Sequence, residues 1–302
     1  MNKENRDFEV KKNKLIALFI TMRPKQWIKN GFVFAGLIFS KSFFDISAIL
    51  TAIYAFVLFS VVSGGAYVVN DIIDRERDAI HPLKCKRPIA SGRLKPVEAL
   101  LYVTVLLMIA LYISFKLNFK FFLILTAYFL LVLSYSIILK NIVILDIIVI
   151  ALGFVLRTLG GTAAINVQIS PWLIMCTTFL ALFLALNKRK NELILLSEDA
   201  VNHRKNLEQY NHKLIDQMLP VATSTTIMSY SLYTFTSGKS HYMMLTIPFV
   251  IYGIFRYQYL VHSGEEGGSP ETVFIKDKPL LFNVILWIIS CIIIVAFFYQ
   301  ME

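Results

Sequence analysis

Apolar residues along this chain fill whole runs, and the polar residues are confined to the intervals between them. The runs fall at roughly 26–44, 46–70, 97–115, 119–139, 142–165, 171–187, 218–236, 241–260 and 280–299. A bilayer core of ~30 Å is crossed by about 20 mostly apolar helical residues, so each run is read as a transmembrane span. The fold class is therefore all-α, a polytopic membrane protein of nine transmembrane helices that forms one domain over 1–302. The pattern differs before the first span. Leu15, Ile16, Leu18, Phe19 and Met22 recur at helical spacing beside a basic flank, which predicts a short interfacial helix within an N-terminal segment, 1–25. Ser63, Gly64 and Gly65, and Gly153, Gly160, Gly161, Ala163 and Ala164, are small residues where helix backbones approach closely in lipid.

Composition agrees with lipid as the main solvent: 57% of residues are hydrophobic and 17% charged, where soluble domains carry about 25% charged residues. The net charge of +10 does not point to nucleic acid, because the basic residues lie between apolar runs instead of forming one stripe. They report orientation. With the N-terminus in the cytoplasm, segments 1–29, 71–96, 140–141, 188–217 and 261–279 face inward and hold 8, 7, 1, 6 and 2 of the 30 Lys and Arg. That bias predicts a multi-pass protein of the cytoplasmic membrane, N-terminus inside, with its two long polar loops, 71–96 and 188–217, in the cytoplasm. Cys85, Cys176 and Cys291 are isolated, so neither a disulfide framework nor a zinc site is indicated. Residues 1–29 lack the apolar core of a signal peptide.

The first polar constellation closes the second span. Asp71, Asp74 and Asp78 stand at i, i+3 and i+7, and Asn70 joins Asp74 and Asp78 at four-residue spacing, so a continuous helix would place them on one face. Stacked carboxylates repel unless a cation lies among them. Mg²⁺ is typically held by one or two carboxylates together with substrate phosphates, so a Mg²⁺-diphosphate suits this face. The bland alternative is a solvated helix end paired with Arg75 and Arg77, but charge at a membrane boundary is costly and usually functional. The Pro- and Gly-punctuated stretch from His81 to Gly92 adds Lys84, Lys86 and Arg87 near the acids, as an anionic substrate requires. His81 adjoins the same motif.

Asn70 through Asp78 matches the N-D-x-x-D-x-x-x-D signature, and on it the chain resembles UbiA-type membrane transferases. More narrowly, Arg23 to Asn30, Asp78 to Gly92, Lys188 to Leu193 and Gly264 to Pro270 are similar to the decaprenyl-phosphate phosphoribosyltransferase branch. The resemblance implies nine helices around a central cytoplasm-facing cavity, Mg²⁺ as cofactor held by Asp71, Asp74 and Asp78, and a homo-oligomer such as a trimer. It also implies transfer of a 5-phosphoribosyl group from phosphoribosyl pyrophosphate (PRPP) to a polyprenyl phosphate. Prenyl-transferring relatives carry a second Asp-rich motif after the sixth span. Here Asn187, Lys188, Arg189, Lys190 and Glu192 stand in its place, an exchange of carboxylates for cations that suits a donor with an extra phosphate.

Lys188 and Glu192 share a helical face while Arg189 points about 100° away. These three, with Lys25 and Lys29, are candidate substrate ligands or else a basic collar at the membrane surface. Tyr135 and Asp146 lie near the cytoplasmic boundary as candidate pocket residues, and Asp146 has Lys140 as an alternative partner. Arg157 lies some 24 Å beyond Asn141 on a straight helix; intramembrane Arg is functional by default, and a structural or oligomer-contact role stays open. The segment 264–270, followed by Lys276, Asp277 and Lys278, is either a cap on the pocket or a turn. Two other functions compete: prenyl transfer from an isoprenoid diphosphate to an aromatic acceptor, and transport. Transport predicts charges spread through the depth of the spans, whereas these gather at one face.

Overall fold

The computed structural model describes residues 13–40, 42–168, 170–196, 210–236, 240–262 and 270–298, and among them there is no strand. Helix α1 covers 13–21. The others are α2 (Ala35–Phe39), α3 (Ile46–Ile73), α4 (Arg75–Ile80), α5 (Pro96–Leu117), α6 (Phe119–Ile137), α7 (Leu145–Ala164), α8 (Pro171–Leu196), α9 (His212–Thr236), α10 (Ile247–His262), α11 (Pro270–Lys276) and α12 (Lys278–Phe298). Local chemistry sets several starts. The Asp45 side chain accepts the Ser47 N–H before α3, Asn118 accepts the N–H groups of Lys120 and Phe121 before α6, and Pro96 opens α5.

Among the described residues, seven helices are long and apolar enough to cross a membrane, including α10 together with the 3₁₀ turns that precede it. The expected nine spans meet the structure differently at two places. Span 26–44 is a 3₁₀ helix, Pro24–Phe34, running into α2 and a further 3₁₀ turn at Ser42–Phe44. A 3₁₀ helix rises about 2.0 Å per residue against 1.5 Å for an α-helix, so 24–39 still reaches about 30 Å, the thickness of a bilayer core. Span 218–236 is contained in α9, which is long enough but rich in Ser, Thr and Tyr. The hydroxyls of Ser224, Thr225, Thr226 and Ser231 donate to carbonyls one turn back, so their polarity is met within the helix.

Helix α7 is the axis of the bundle: 67% of its apolar window is buried, against 22% for α5, α6 and α12. It packs on α6, α8 and the 3₁₀ segment 24–34, while α8 packs on α9 and α3 on α5. Close approach to α7 depends on missing side chains. A Cβ on Gly161 would fall 1.9 Å from the Val33 carbonyl oxygen, and one on Gly36 would fall 2.5 Å from Thr162 Cγ2. The outer faces of α5 and α6 expose Leu101, Met108, Ile109, Tyr112, Leu123 and Leu130, which is a liability in water and the requirement in lipid. Helix α1 is half-buried: Ala17, Leu18 and Met22 pack inward, Leu15, Ile16 and Phe19 face out, and Lys14 Nζ donates to Glu98 at 2.8 Å. The multi-pass membrane architecture fits the exposed apolar faces.

Candidate active site at the polar end of the bundle

Two ionic clusters and one apolar cavity occupy the region that the sequence marks. The first cluster forms because α3 does not continue through the aspartate motif. It ends at Ile73, Asp74 takes φ −87° and ψ 6°, and α4 begins at Arg75. This break sorts the three acids. Asp71 and Asp78 are buried and converge on one guanidinium: Arg87 Nη1 donates to Asp71 Oδ1 at 3.1 Å and to Asp78 Oδ2 at 2.5 Å. Asp74 turns away to Lys140, whose Nζ lies 3.2 Å from both carboxylate oxygens. The expected single face of Asp71, Asp74 and Asp78 is corrected to a pair plus an outlier, because the helix is interrupted at Asp74, whose ψ of 6° departs from the helical value.

Arg87 is set by its loop. Ile89 and Leu94 are buried beneath it, the Leu94 N–H donates to the Pro88 carbonyl at 3.0 Å, and Gly92 turns the chain at φ +75°. His81 accepts the N–H groups of Leu83 and Lys84 at Nδ1, a capping role. A further cation comes from a residue that spacing did not nominate. Arg23 donates from Nη2 to Asp71 Oδ1 at 2.5 Å, lies over the Tyr67 ring at 4.8 Å, and holds φ 53° just before the 3₁₀ segment. Of the other nominated groups here, Asn70 is half-buried, Lys25 and Lys84 are exposed, and Lys29 donates to Gln26 Oε1 at 2.6 Å.

The second cluster joins α6, α7 and α8. Asp146 and Arg189 are both 0% exposed, with Nε 2.9 Å from Oδ2. Arg189 also donates from Nη1 to Glu192 and from Nη2 to the Tyr135 hydroxyl at 3.3 Å. Lys188 Nζ is 3.9 Å from Glu192 on the same face of α8, as the spacing predicts. Asp146 therefore pairs with Arg189 and not with Lys140. Arg189, nominated as an open substrate ligand, is instead enclosed by protein groups, whereas Lys188 and Glu192 are partly exposed. Tyr210, also absent from the expected set, donates its hydroxyl to Asp146 Oδ1 at 2.7 Å and accepts the Ile144 N–H at 2.6 Å. Burial, then the hydrogen bond to Asp146, pushes the Tyr210 phenol above its ordinary value. Tyr135 and Lys140 lie five positions apart at the end of α6, so that end touches both clusters.

Arg157 belongs to neither cluster. Its Nε donates to Asn30 Oδ1 at 2.7 Å, Nη1 to the Gly153 carbonyl at 2.8 Å and Nη2 to the Tyr128 hydroxyl at 2.7 Å, and the guanidinium lies 4.6 Å from the Tyr128 ring centre. Neutral groups surround it inside the bundle, where it ties the 3₁₀ segment to α6 and α7, an arrangement that suits the structural alternative. Residues 264–269 lie outside the described residues; Lys276 and Lys278 are exposed, and Asp277 pairs with Arg256 at 2.8 Å.

Among the described residues no three His, Cys, Asp or Glu side chains come together around one point. Asp71 and Asp78 nonetheless fit a hard divalent ion delivered with a diphosphate. They are an oxygen-only pair already sharing one cationic nitrogen, and Mg²⁺ needs only one or two protein carboxylates when phosphates complete its shell. An apolar cavity of about 440 Å³ lies between segment 28–39 and helices α8, α9, α10 and α12, running past Phe32, Phe183 and Tyr257 to Phe39, Tyr230 and Trp287.

A decaprenyl-phosphate phosphoribosyltransferase of Corynebacterium glutamicum is 30% identical over 99% of this chain and 92% of its own length. One from Mycolicibacterium smegmatis is 30% identical over 92% of each chain. Among solved structures, a UbiA homologue from Archaeoglobus fulgidus bound to DMAPP and Mg²⁺ superposes with a TM-score of 0.69 at 18% identity, covering 94% of this chain and 99% of that one. The model of the UbiA prenyltransferase family matches residues 31–276, and with full-length relatives and a shared helical architecture, the chain belongs to that family.

Proposed function

We propose that this membrane protein transfers a 5-phosphoribosyl group from PRPP to a polyprenyl phosphate, releasing pyrophosphate. The observation that carries this reading is the 30% identity, over nearly the whole of both chains, to a decaprenyl-phosphate phosphoribosyltransferase. The site chemistry supports it. Where a prenyl transferase needs a second set of acids, α8 presents Lys188 and the Arg189–Glu192 pair, and the Asp71–Asp78 pair is flanked by Arg23 and Arg87.

Asp71 and Asp78 would hold Mg²⁺ against the donor pyrophosphate, and the metal supplies Lewis-acid stabilisation of the leaving oxygens. Arg23 and Arg87, already beside those acids, are placed to take up pyrophosphate oxygens in forked contacts as charge grows on them. The C1–oxygen bond to pyrophosphate breaks through an oxocarbenium-like state, and a new C1–oxygen bond forms to the acceptor phosphate. A phosphate dianion is a competent nucleophile, so no general base is assigned. Lys188, with Lys25, Lys29 and Lys84 at the same polar end, is placed for the 5-phosphate and the acceptor phosphate. The apolar cavity takes the first part of the polyprenyl chain, and the rest lies in lipid. The Lys and Arg bias puts this end in the cytoplasm with the N-terminus inside, in the cell membrane, where the water-soluble donor is available. A homo-oligomer, such as a trimer, is the expected assembly.

Membranes carrying the protein, incubated with labelled PRPP, Mg²⁺ and polyprenyl phosphates, should yield a lipid-linked phosphoribose by mass. The competing reading, prenyl transfer, draws on the solved family members bound to DMAPP and GPP. It predicts that an allylic diphosphate, and not PRPP, protects the purified protein against heat in the presence of Mg²⁺.

A further inference from the structure

The metal, the arginines and the lysines account for phosphates, but the donor also carries a ribose diol between its two phosphate groups. Hydroxyls need acceptors, and the exposed cations at this end of the bundle are donors only. Glu192 is an acceptor standing beside one of them, Lys188. Its carboxylate is 27% exposed, on the same face of α8 as Lys188. A carboxylate facing phosphate would be repelled; facing a sugar hydroxyl it accepts a hydrogen bond. Resting on the PRPP reading above, we infer that Glu192 accepts the ribose hydroxyls of the donor and is the residue that separates PRPP from donors lacking them.

The groups behind Glu192 are built to hold it. Arg189, 0% exposed, grips one Glu192 oxygen from Nη1 and cannot itself reach solvent. Its Nε is anchored by Asp146 at 2.9 Å and Nη2 by Tyr135 at 3.3 Å. Asp146 is fixed by the Tyr210 hydroxyl, which also accepts the N–H of Ile144, where the backbone holds φ 69°, a conformation that a β-branched residue rarely adopts. A buried ion pair of this kind packs α7 to α8 no better than apolar side chains would; what it adds is a fixed position for the partly exposed Glu192 carboxylate. Asn187, in the same turn of α8, is also 0% exposed and its Oδ1 has no protein partner among the described residues, a second acceptor left for a hydroxyl or water. Tyr210, Asp146 and Arg189 are positioning residues, and Glu192 touches the sugar.

The test compares PRPP with its 2-deoxy and 3-deoxy forms, using the full-length protein in membranes. A site built to bond a hydroxyl rejects the analogue lacking it by as much as ~10⁴-fold in kcat/KM, and we expect at least ~100-fold against one of the two analogues. Glu192→Met should bring that ratio below about tenfold, Glu192→Gln should keep an intermediate ratio because its amide oxygen still accepts, and Tyr210→Phe should lower the ratio by acting through Asp146. For any variant too slow to assay, protection against heat gives the same comparison. Equal protection by PRPP and the deoxy donor supports the inference, and a retained preference for PRPP overturns it. A ratio unchanged in Glu192→Met, with all donors slowed alike, would make the cluster an interhelical staple and overturn it too. If the wild-type protein does not use PRPP at all, the proposed activity itself fails, and this assignment with it.

Discussion

Asp74 lies between Asp71 and Asp78 in the motif but not in space, and that separation has a measurable consequence. Asp71 and Asp78 share Arg87, whereas Asp74 meets Lys140 at the end of α6. Asp78→Asn should therefore lower phosphoribosyl transfer on the order of 10²-fold, as losses of a charge-stabilising group at a reacting centre do, and raise the Mg²⁺ concentration needed for half-maximal rate. Asp74→Asn removes an ion pair that lies apart from the shared Arg87, so its cost should stay below about tenfold with the Mg²⁺ requirement unmoved. Steady-state rates across a Mg²⁺ titration check both, and equal Mg²⁺ dependence in the two variants would return Asp74 to the metal. The acids were legible from their spacing, but their partition was not, since it follows from a helix break at Asp74. The contacts of Arg23 and Tyr210 were not legible: they reach Asp71 and Asp146 across 48 and 64 positions, which only the packed chain brings together.

The hydrogen bond from Arg256 holds the Asp277 carboxyl below its ordinary value of 3.8, with smaller help from the Leu280 N–H. A carboxyl depressed in the folded state stabilises the protein at pH values above its unfolded pKa, and that contribution is lost as pH falls through the folded value. The thermal stability of the detergent-solubilised protein should then exceed that of Asp277→Asn near neutrality, and the gap should close toward acid. A gap that widens on acidification would contradict the assignment.

At the scale of elements, the apolar runs located the membrane helices well because length and hydropathy are sufficient to define a span. They gave no sign of the 3₁₀ geometry of the first, which lies close against a neighbour. Segment 24–39 lies against α7 so closely that Gly161 has the Val33 carbonyl where a Cβ would be, and Arg157 binds Asn30 from the same helix. Hydropathy carries no trace of such a fit. The apolar run also stops at 187, though the helical spacing of Lys188 and Glu192 extends it, and α8 continues to Leu196 with buried partners on α6 and α7 taking up the charge of Arg189. Gly161→Ala should destabilise by at least ~1–3 kcal/mol, the range for overpacking a tight core, since the obstructing atom is backbone and cannot rotate away. Gly31→Ala, with nothing within 4 Å of its Cβ, is the matched control and should shift thermal unfolding little. Similar shifts in the two variants would show that segment 24–39 yields to α7.

Across the whole molecule, the donor and acceptor must reach one point from different solvents. The ionic clusters gather where α3, α6 and α8 end, while the 440 Å³ cavity opens among apolar side chains of segment 28–39, α8, α9, α10 and α12. A polyprenyl phosphate fits this division with its phosphate among the cations and its first isoprene units in the cavity. Affinity for such a chain grows with apolar area removed from water, about 25 cal/mol per Å², so filling the cavity should weaken the lipid substrate selectively. Gly31 is the place to test this, because it lines the cavity and has open space at its Cβ. Gly31→Leu puts a branched side chain where the acceptor tail would lie, in a cavity lined by none of the carboxylates and arginines proposed to hold the donor. The KM for polyprenyl phosphate should rise about tenfold or more, equivalent to ~1.4 kcal/mol of lost binding, while the KM for PRPP stays within about twofold. A soluble short-chain acceptor, which cannot fill the cavity, should lose much less. If the KM for PRPP rises together with that of the lipid, the cavity and the ionic clusters form one continuous donor pocket, and the division of solvents between them is wrong.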